Sequence, residues 1–173
     1  MGGRQKAFLT FAGQRLIDRQ LEVLRPIFSE IWISANDRAL FHDVNLPVVP
    51  DAILDVGPLG GLLAVLEASF AERVFVVACD MPFLVPDAVR LVAHHPDEAA
   101  VVIPVVGHQP EPMFARYTKS ATRAIRARIA AGDRKSTCFH TDVSVRVVTE
   151  EALRAVDPML RSLVNVNRPE DLR

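Results

Sequence analysis

Residues 73–82 read RVFVVACDMP. After Arg73 every position to Cys79 is apolar, without the alternation of a strand that has one wet face. An unbroken apolar run of this length is expected of a strand covered on both faces, as in the parallel sheets of α/β proteins. The run stops at Asp80, and Pro82 keeps the chain from continuing as regular structure. A carboxylate at the tip of a buried strand is placed to hold Mg2+, a hard cation that shares oxygen ligands with substrate phosphates. The same residue type also caps a following turn, so local evidence leaves both roles of Asp80 open. Cys79 reads as a small buried apolar residue rather than a reactive thiol.

The flanking sequence alternates in type. Upstream, Ile17, Leu21, Leu24 and Phe28 recur at helical spacing, which predicts an amphipathic helix over 14–28 that closes near Pro26. Short strands are expected at 30–35 (EIWISA) and 47–50 (PVVP), then a helix over 59–70, opened by Gly57-Pro58 and turning Leu62, Leu63, Leu66 and Phe70 inward. Downstream, 86–94 predicts a helix with Pro86 in its first turn, and 99–106 a second buried strand. A helix over 119–130 closed by Gly132 and a strand over 143–148 complete the series. This alternation predicts one domain over 1–173 with a Rossmann-like three-layer α/β/α fold and a mostly parallel sheet. Ligands in such sheets bind beyond the carboxyl ends of the strands, which singles out the turns after Ala35, Cys79 and Val106.

Composition limits the chemistry. Of 173 residues, 50% are apolar, and 20 Lys and Arg stand against 21 Asp and Glu. That size supports one sizeable core, and the balance leaves no basic excess for nucleic acid or an anionic membrane. Cys79 and Cys138 are the only cysteines, too few and too far apart for a disulfide scaffold or a Cys-rich zinc site. The apolar runs are of strand length, too short to cross a bilayer, and Met-Gly-Gly-Arg-Gln-Lys lacks the apolar core of a signal peptide, so a cytoplasmic protein is expected.

Four further clusters have residue types suited to anions or heterocycles. Gly2 and Gly3 allow close approach of backbone N–H groups to phosphate, with Lys6 three residues on to neutralise charge; taken alone, at a chain terminus, they fit a flexible solvated tail better. Asp55-Val56-Gly57-Pro58-Leu59-Gly60-Gly61 suits a turn feeding an anion-favouring helix start, or an ordinary loop that needs glycine geometry. Asn165 and Asn167 project to one side if the segment is extended and can read a heterocycle edge, although Asn167 also suits a helix cap. Asp133, Arg134 and Lys135 follow a helix, where they reach an anionic substrate or simply face water. His94-His95 suit a helix end better than a metal site.

It is the order of these motifs that is specific. Gly-Gly-x-x-Lys, Ile-Ser-Ala-Asn, Pro-Asp, Gly-Pro-Leu-x-Gly, Cys-Asp-Met-Pro, Glu-Pro-Met-Phe-Ala, Ala-Gly-Asp-Arg and Asn-Val-Asn-x-Pro-Glu-Asp-Leu follow one another from Met1 to Leu172. In that order and spacing the chain resembles the molybdenum cofactor guanylyltransferases, a family with a nucleotidyltransferase fold. The resemblance implies transfer of GMP from GTP to a molybdopterin-type molybdenum cofactor, with Mg2+ and release of pyrophosphate. It implies a phosphate loop at Gly2, Gly3 and Lys6, nucleotide contacts at Asn36 and Asp51, and Mg2+ at Asp80. Gly57, Gly61, Asn165 and Asn167 would lie on the pterin side; Arg134 is expected near substrate phosphate on its charge and position alone. Contacts with molybdoenzymes or cofactor-carrying chaperones are also implied; partners in nucleic acid or membrane are not.

Two other readings remain beside this one: a related CTP-using cytidylyltransferase, and a non-catalytic nucleotide- or cofactor-binding homologue. The family pattern places a β-strand and a Leu-Ala-Gly-Gly-like turn ahead of the Met-Gly-Gly segment. The expectation is therefore an amino-terminally incomplete domain, inefficient as it stands and restored by roughly twenty upstream residues, the length of a strand plus turn.

Overall fold

The structure is a computed structural model and describes residues 7–166. A small hairpin opens it, β1 (Thr10–Phe11) against β2 (Gln14–Arg15), turned by Ala12 and Gly13, both at positive φ. Helix α1 (Leu16–Leu24) follows and buries Leu16, Ile17, Leu21 and Leu24. It is shorter than the apolar spacing suggested: Gln14 and Arg15 belong to the hairpin, and Pro26 has no N–H with which to extend the helix. Strands β3 (Ile33–Ser34) and β4 (Val48–Val49) pair in parallel.

Helix α2 (Pro58–Ala68) is buried at every residue from Leu59 to Leu66, as a helix inside a layered domain must be. Its predicted inward residue Phe70 lies past the helix end and is 93% exposed, since the helix stops at Ser69. Next come β5 (Arg73–Val77), α3 (Pro86–Ala93), β6 (Val101–Val106), β7 (Gln109–Pro110) and β8 (Phe114–Thr118). Helix α4 (Thr122–Ala130) ends as Gly132 suggested: with φ at +89°, its N–H reaches Ile129 O and the N–H of Asp133 reaches Arg128 O. Strand β9 (Val145–Thr149) and α5 (Glu150–Val156), capped by the Thr149 hydroxyl, close the order.

The main sheet runs β5-β8-β6, with β9 parallel to β6 on its far edge and β7 folded back on the end of β6. Since β5 and β6 are both antiparallel to β8, β5, β6 and β9 share one direction. The parallel-rich expectation therefore describes these three long strands, and β8 is the long strand that runs against them. Side chains alternate across the sheet as the pleat requires. Val101, Ile103, Ala115 and Tyr117 meet α2 and α4 on one face. Val102 and Phe114 meet α3 and Leu153 of α5 on the other. Helices on both faces make the three layers of an α/β domain.

Strand β8 carries a fully buried arginine. Arg116 donates to the carbonyls of His95 and Asp97, each at 2.6 Å, and of Ala99 at 3.2 Å. Burial lowers its pKa, yet the three acceptors hold the guanidinium in place and fasten the loop between α3 and β6 to the sheet. Replacing Arg116 by Leu leaves these carbonyls without their donor. The expected loss is about 3 kcal/mol, from unmade hydrogen bonds worth roughly 1–3 kcal/mol each when buried. Urea unfolding checks it; a loss below about 0.5 kcal/mol contradicts this role.

Candidate active site

The carboxyl ends of β3, β4 and β5 open on one cleft of about 1310 Å3, lined among others by Asn36, Asp51, Gly61, Asp80 and Asn165. Its parts are held by short-range bonds. Asn36, just past β3, and Asp51, just past β4, bond reciprocally: Asn36 Nδ2 donates to Asp51 Oδ2 at 3.0 Å, and the Asp51 N–H donates to Asn36 Oδ1 at 2.9 Å. This pair leaves one N–H of Asn36 and one oxygen of Asp51 to address a ligand.

The start of α2 is pressed against that pair. Gly57 adopts φ 61° and ψ −148°, a region open essentially to glycine. A Cβ on Gly61 would lie 2.4 Å from Ser34 Oγ and 3.2 Å from Asp51 Oδ1, and one on Gly60 would lie 2.4 Å from the Ile53 carbonyl. These glycines thus let a helix start dock directly on the ends of β3 and β4.

The Asp80 turn is clamped from below by a residue that the sequence reading passed over. Gln20 of α1, only 6% exposed, donates through Nε2 to the carbonyls of Ala78 at 2.7 Å and Met81 at 2.9 Å. The Met81 N–H closes the turn on the Ala78 carbonyl, and the Ala78 N–H donates to Met113 O. From the other side the Val166 N–H donates to the Asp80 carbonyl at 2.7 Å, which brings Asn165 to the cleft. That terminal segment is fixed in turn by buried Asp157, which accepts from the N–H groups of Arg161 and Ser162, and by Ser162 Oγ, which accepts from the Val85 N–H. A signal for Gln20 existed: it is the one polar residue within the buried stripe Leu16, Ile17, Leu21, Leu24.

Among the expected site residues, Asn36, Asp51, Gly57, Gly61, Asp80 and Asn165 all line this cleft. Arg134 does not: its guanidinium donates to the carbonyls of Ile129 and Asp133, while its own carbonyl lies 4.0 Å from a Cβ built on Gly57, at the outer side of that turn. Gly2, Gly3, Lys6 and Asn167 lie outside the described residues. The turn after Val106 is a hairpin into β7, with its Gly107 N–H held by Glu150, and contributes nothing to the lining. In its place the chain presents Glu111, Pro112 and Met113 to the cleft. Burial raises the pKa of the Glu111 carboxyl. Neither cysteine is in a disulfide among the described residues, and Cys79 is one of the lining residues.

Over residues 1–166 the chain matches the MobA-like NTP transferase domain. A probable molybdenum cofactor guanylyltransferase of Pelotomaculum thermopropionicum is 36% identical over 170 residues, covering 98% of this chain and 83% of that protein. The crystal structure of molybdopterin-guanine dinucleotide biosynthesis protein A from Archaeoglobus fulgidus aligns with a TM-score of 0.83 at 28% identity, over 96% of this chain and 86% of that one. The 2-C-methyl-D-erythritol 4-phosphate cytidylyltransferase of Thermus thermophilus, at 16% identity and a TM-score of 0.68 over 97% of this chain and 90% of that one, shares the fold alone. The resemblance carried by the motif order is thereby borne out: this chain belongs to the MobA-like NTP transferase domain family and is a nucleotidyltransferase.

Proposed function

We propose that the chain transfers GMP from GTP to the terminal phosphate of a molybdopterin-type molybdenum cofactor. The new bond joins a cofactor phosphate oxygen to the α-phosphorus of GTP; the bond that breaks is the one to the β-phosphate bridge, and pyrophosphate leaves with it. One observation carries the reading. A single opening beyond β3, β4 and β5 gathers Asn36, Asp51, Asp80 and Asn165, in a chain whose relatives are named molybdenum cofactor guanylyltransferases.

The donor set suits Mg2+. Among the described residues no three His, Cys, Asp or Glu side chains converge on one point, so no all-protein cage is present. Asp80, a carboxylate beyond the end of β5, matches a cation that takes its remaining oxygens from water and substrate phosphates. When bound, Mg2+ neutralises charge on those phosphates. The residues do the rest by position. The Gln20 clamp holds the backbone turn that carries Asp80, and the Asn36–Asp51 pair offers a donor and an acceptor to the nucleotide. By the family resemblance the phosphate falls to Gly2, Gly3 and Lys6 and the pterin side to Gly57, Gly61, Asn165 and Asn167; Arg134 does not line the cleft. The attacking phosphate is already an anion, so the reaction requires no protein nucleophile, and its catalysis is positioning with charge neutralisation.

Asp80→Asn is expected to lower Mg2+-dependent transfer by about two decades or more, the loss of several kcal/mol of transition-state stabilisation, with an unchanged melting curve. Turnover close to that of the parent at saturating Mg2+ rules out the assignment. Gln20→Leu keeps the apolar packing of α1 but frees the Ala78 and Met81 carbonyls. The expected result is a drop in kcat of about tenfold or more with a smaller change in KM for GTP; a change confined to stability marks Gln20 as structural only. GTP is expected to outcompete CTP and ATP as donor, because a site that hydrogen-bonds one base leaves groups unpaired with another. Transfer from CTP at an equal or higher kcat/KM points to the cytidylyltransferase reading, and GTP binding without turnover to the non-catalytic one.

A further inference from the structure

Just ahead of β8 the segment Pro110-Glu111-Pro112-Met113 crosses the end of the sheet, tied to it through its own backbone groups. The Glu111 N–H donates to the Pro104 carbonyl of β6, and the Glu111 carbonyl accepts from the Phe114 N–H. The Pro112 carbonyl accepts from the hydroxyl of fully buried Tyr117 at 2.7 Å, and the Met113 carbonyl from the Ala78 N–H. A proline on either side narrows the backbone further, and Pro112 keeps Glu111 out of helical geometry. The loop is therefore stiff without help from the Glu111 side chain.

That side chain lines the cleft, half-buried, and among the described residues it makes no hydrogen bond and no ion pair. Burial alone raises its pKa: no neighbouring charge contributes, so neither a cation nor the Asp80 carboxylate bears on it. An ionised carboxyl is an acceptor only, and its two oxygens suit two parallel donors. Counted on from the Val77–Phe114 pair and the Ala78-to-Met113 bond, Glu111 lies beside the turn that carries Asp80. Strand β8 fills one edge of β5, and the cleft with β3 opens on the other. Glu111 and the Asn36–Asp51 pair thus approach the Asp80 turn from different sides. A displacement at phosphorus brings its incoming group in opposite to the leaving group, so the acceptor belongs on the Glu111 side.

We propose that Glu111 reads the donor edge of the pterin, its carboxylate accepting one hydrogen bond from the ring N–H and one from the adjacent amino group. The inference rests on the proposed reaction and adds to it the residue that selects the acceptor ring. A pterin presents these two donors side by side without a charge, which suits a desolvated carboxylate that no cation neutralises. Guanine carries the same edge, but the nucleotide is assigned to Asn36 and Asp51.

Lumazine, which has an oxo group where pterin has that amino group, supplies the test. The unmodified chain and Glu111→Gln are titrated with pterin and with lumazine in the absence of nucleotide, followed by amide NMR. GTP with Mg2+ is titrated separately. Glutamine offers one acceptor and one donor, which match the N–H and the added carbonyl of lumazine. The unmodified chain is expected to bind pterin about 10–100-fold more tightly than lumazine, with shifts at the Glu111 and Met113 amides. Glu111→Gln is expected to lose or reverse that preference, with its GTP affinity and melting curve unchanged. In the transfer assay its KM for the molybdopterin-type cofactor rises while KM for GTP stays. Equal affinity of the unmodified chain for pterin and lumazine, or a pterin preference that survives Glu111→Gln, overturns the role of Glu111 and leaves GMP transfer standing. A loss confined to GTP gives Glu111 to guanine and overturns the pterin assignment. An unmodified chain that binds GTP, but binds neither pteridine and transfers no GMP to the cofactor, overturns the reaction on which the inference rests.

Discussion

Strand β8 is the constraint on which the rest of the molecule depends. It is laddered to β5 along all five of that strand's residues and to β6 at its other edge, so it alone joins the two among the described residues. Its burial is complete, and Arg116 within it is tolerated because carbonyls from the loop ahead of β6 accept its protons. The same ladder, continued by the bond from Ala78 to Met113, sets the height at which Asp80 leaves the sheet. Core and site are therefore parts of one hydrogen-bonded frame.

Much of this was legible in sequence where one physical effect dominated. The continuous apolar runs at β5 and β6, the Pro58 and Pro86 helix starts and the Gly132 cap each emerged where local chemistry placed them, within a residue or two. Strand β8 was not read, because Arg116 interrupts its apolar pattern and only tertiary acceptors explain a buried guanidinium there. The hairpin at Gly107 was missed for a related reason: periodicity identifies a strand but not its direction. In the site, Asp80, Asn36 and Asp51 were found as motif residues at strand ends. That Asn36 and Asp51 bond to each other across fifteen positions, and that Gln20 supports Asp80 from sixty positions away, belongs to packing, which no local window contains.

The cleft joins chemistry and architecture. Among the described residues β3 and β5, which lead to Asn36 and Asp80, make no ladder to each other, so their tips are held by the local bonds of the site. A nucleotidyl transfer that relies on charge neutralisation and not on a covalent intermediate is sensitive to such positioning, since each phosphate must meet its partner at a fixed distance. The Gln20 clamp, the Asn36–Asp51 pair and the glycine-docked start of α2 are local answers to the same requirement.

On this reading the carboxyl ends of β3, β4 and β5 form the nucleotide site of this transferase. The most direct measurement is a backbone amide NMR titration with GTP and Mg2+. The largest shifts are expected at Ala35, Asn36, Asp51, Gly61 and Asp80, with the Arg126 and Arg128 surface of α4 unchanged. Shifts centred on α4, or saturation by GTP that leaves the Asn36, Asp51 and Asp80 amides unmoved, would contradict it.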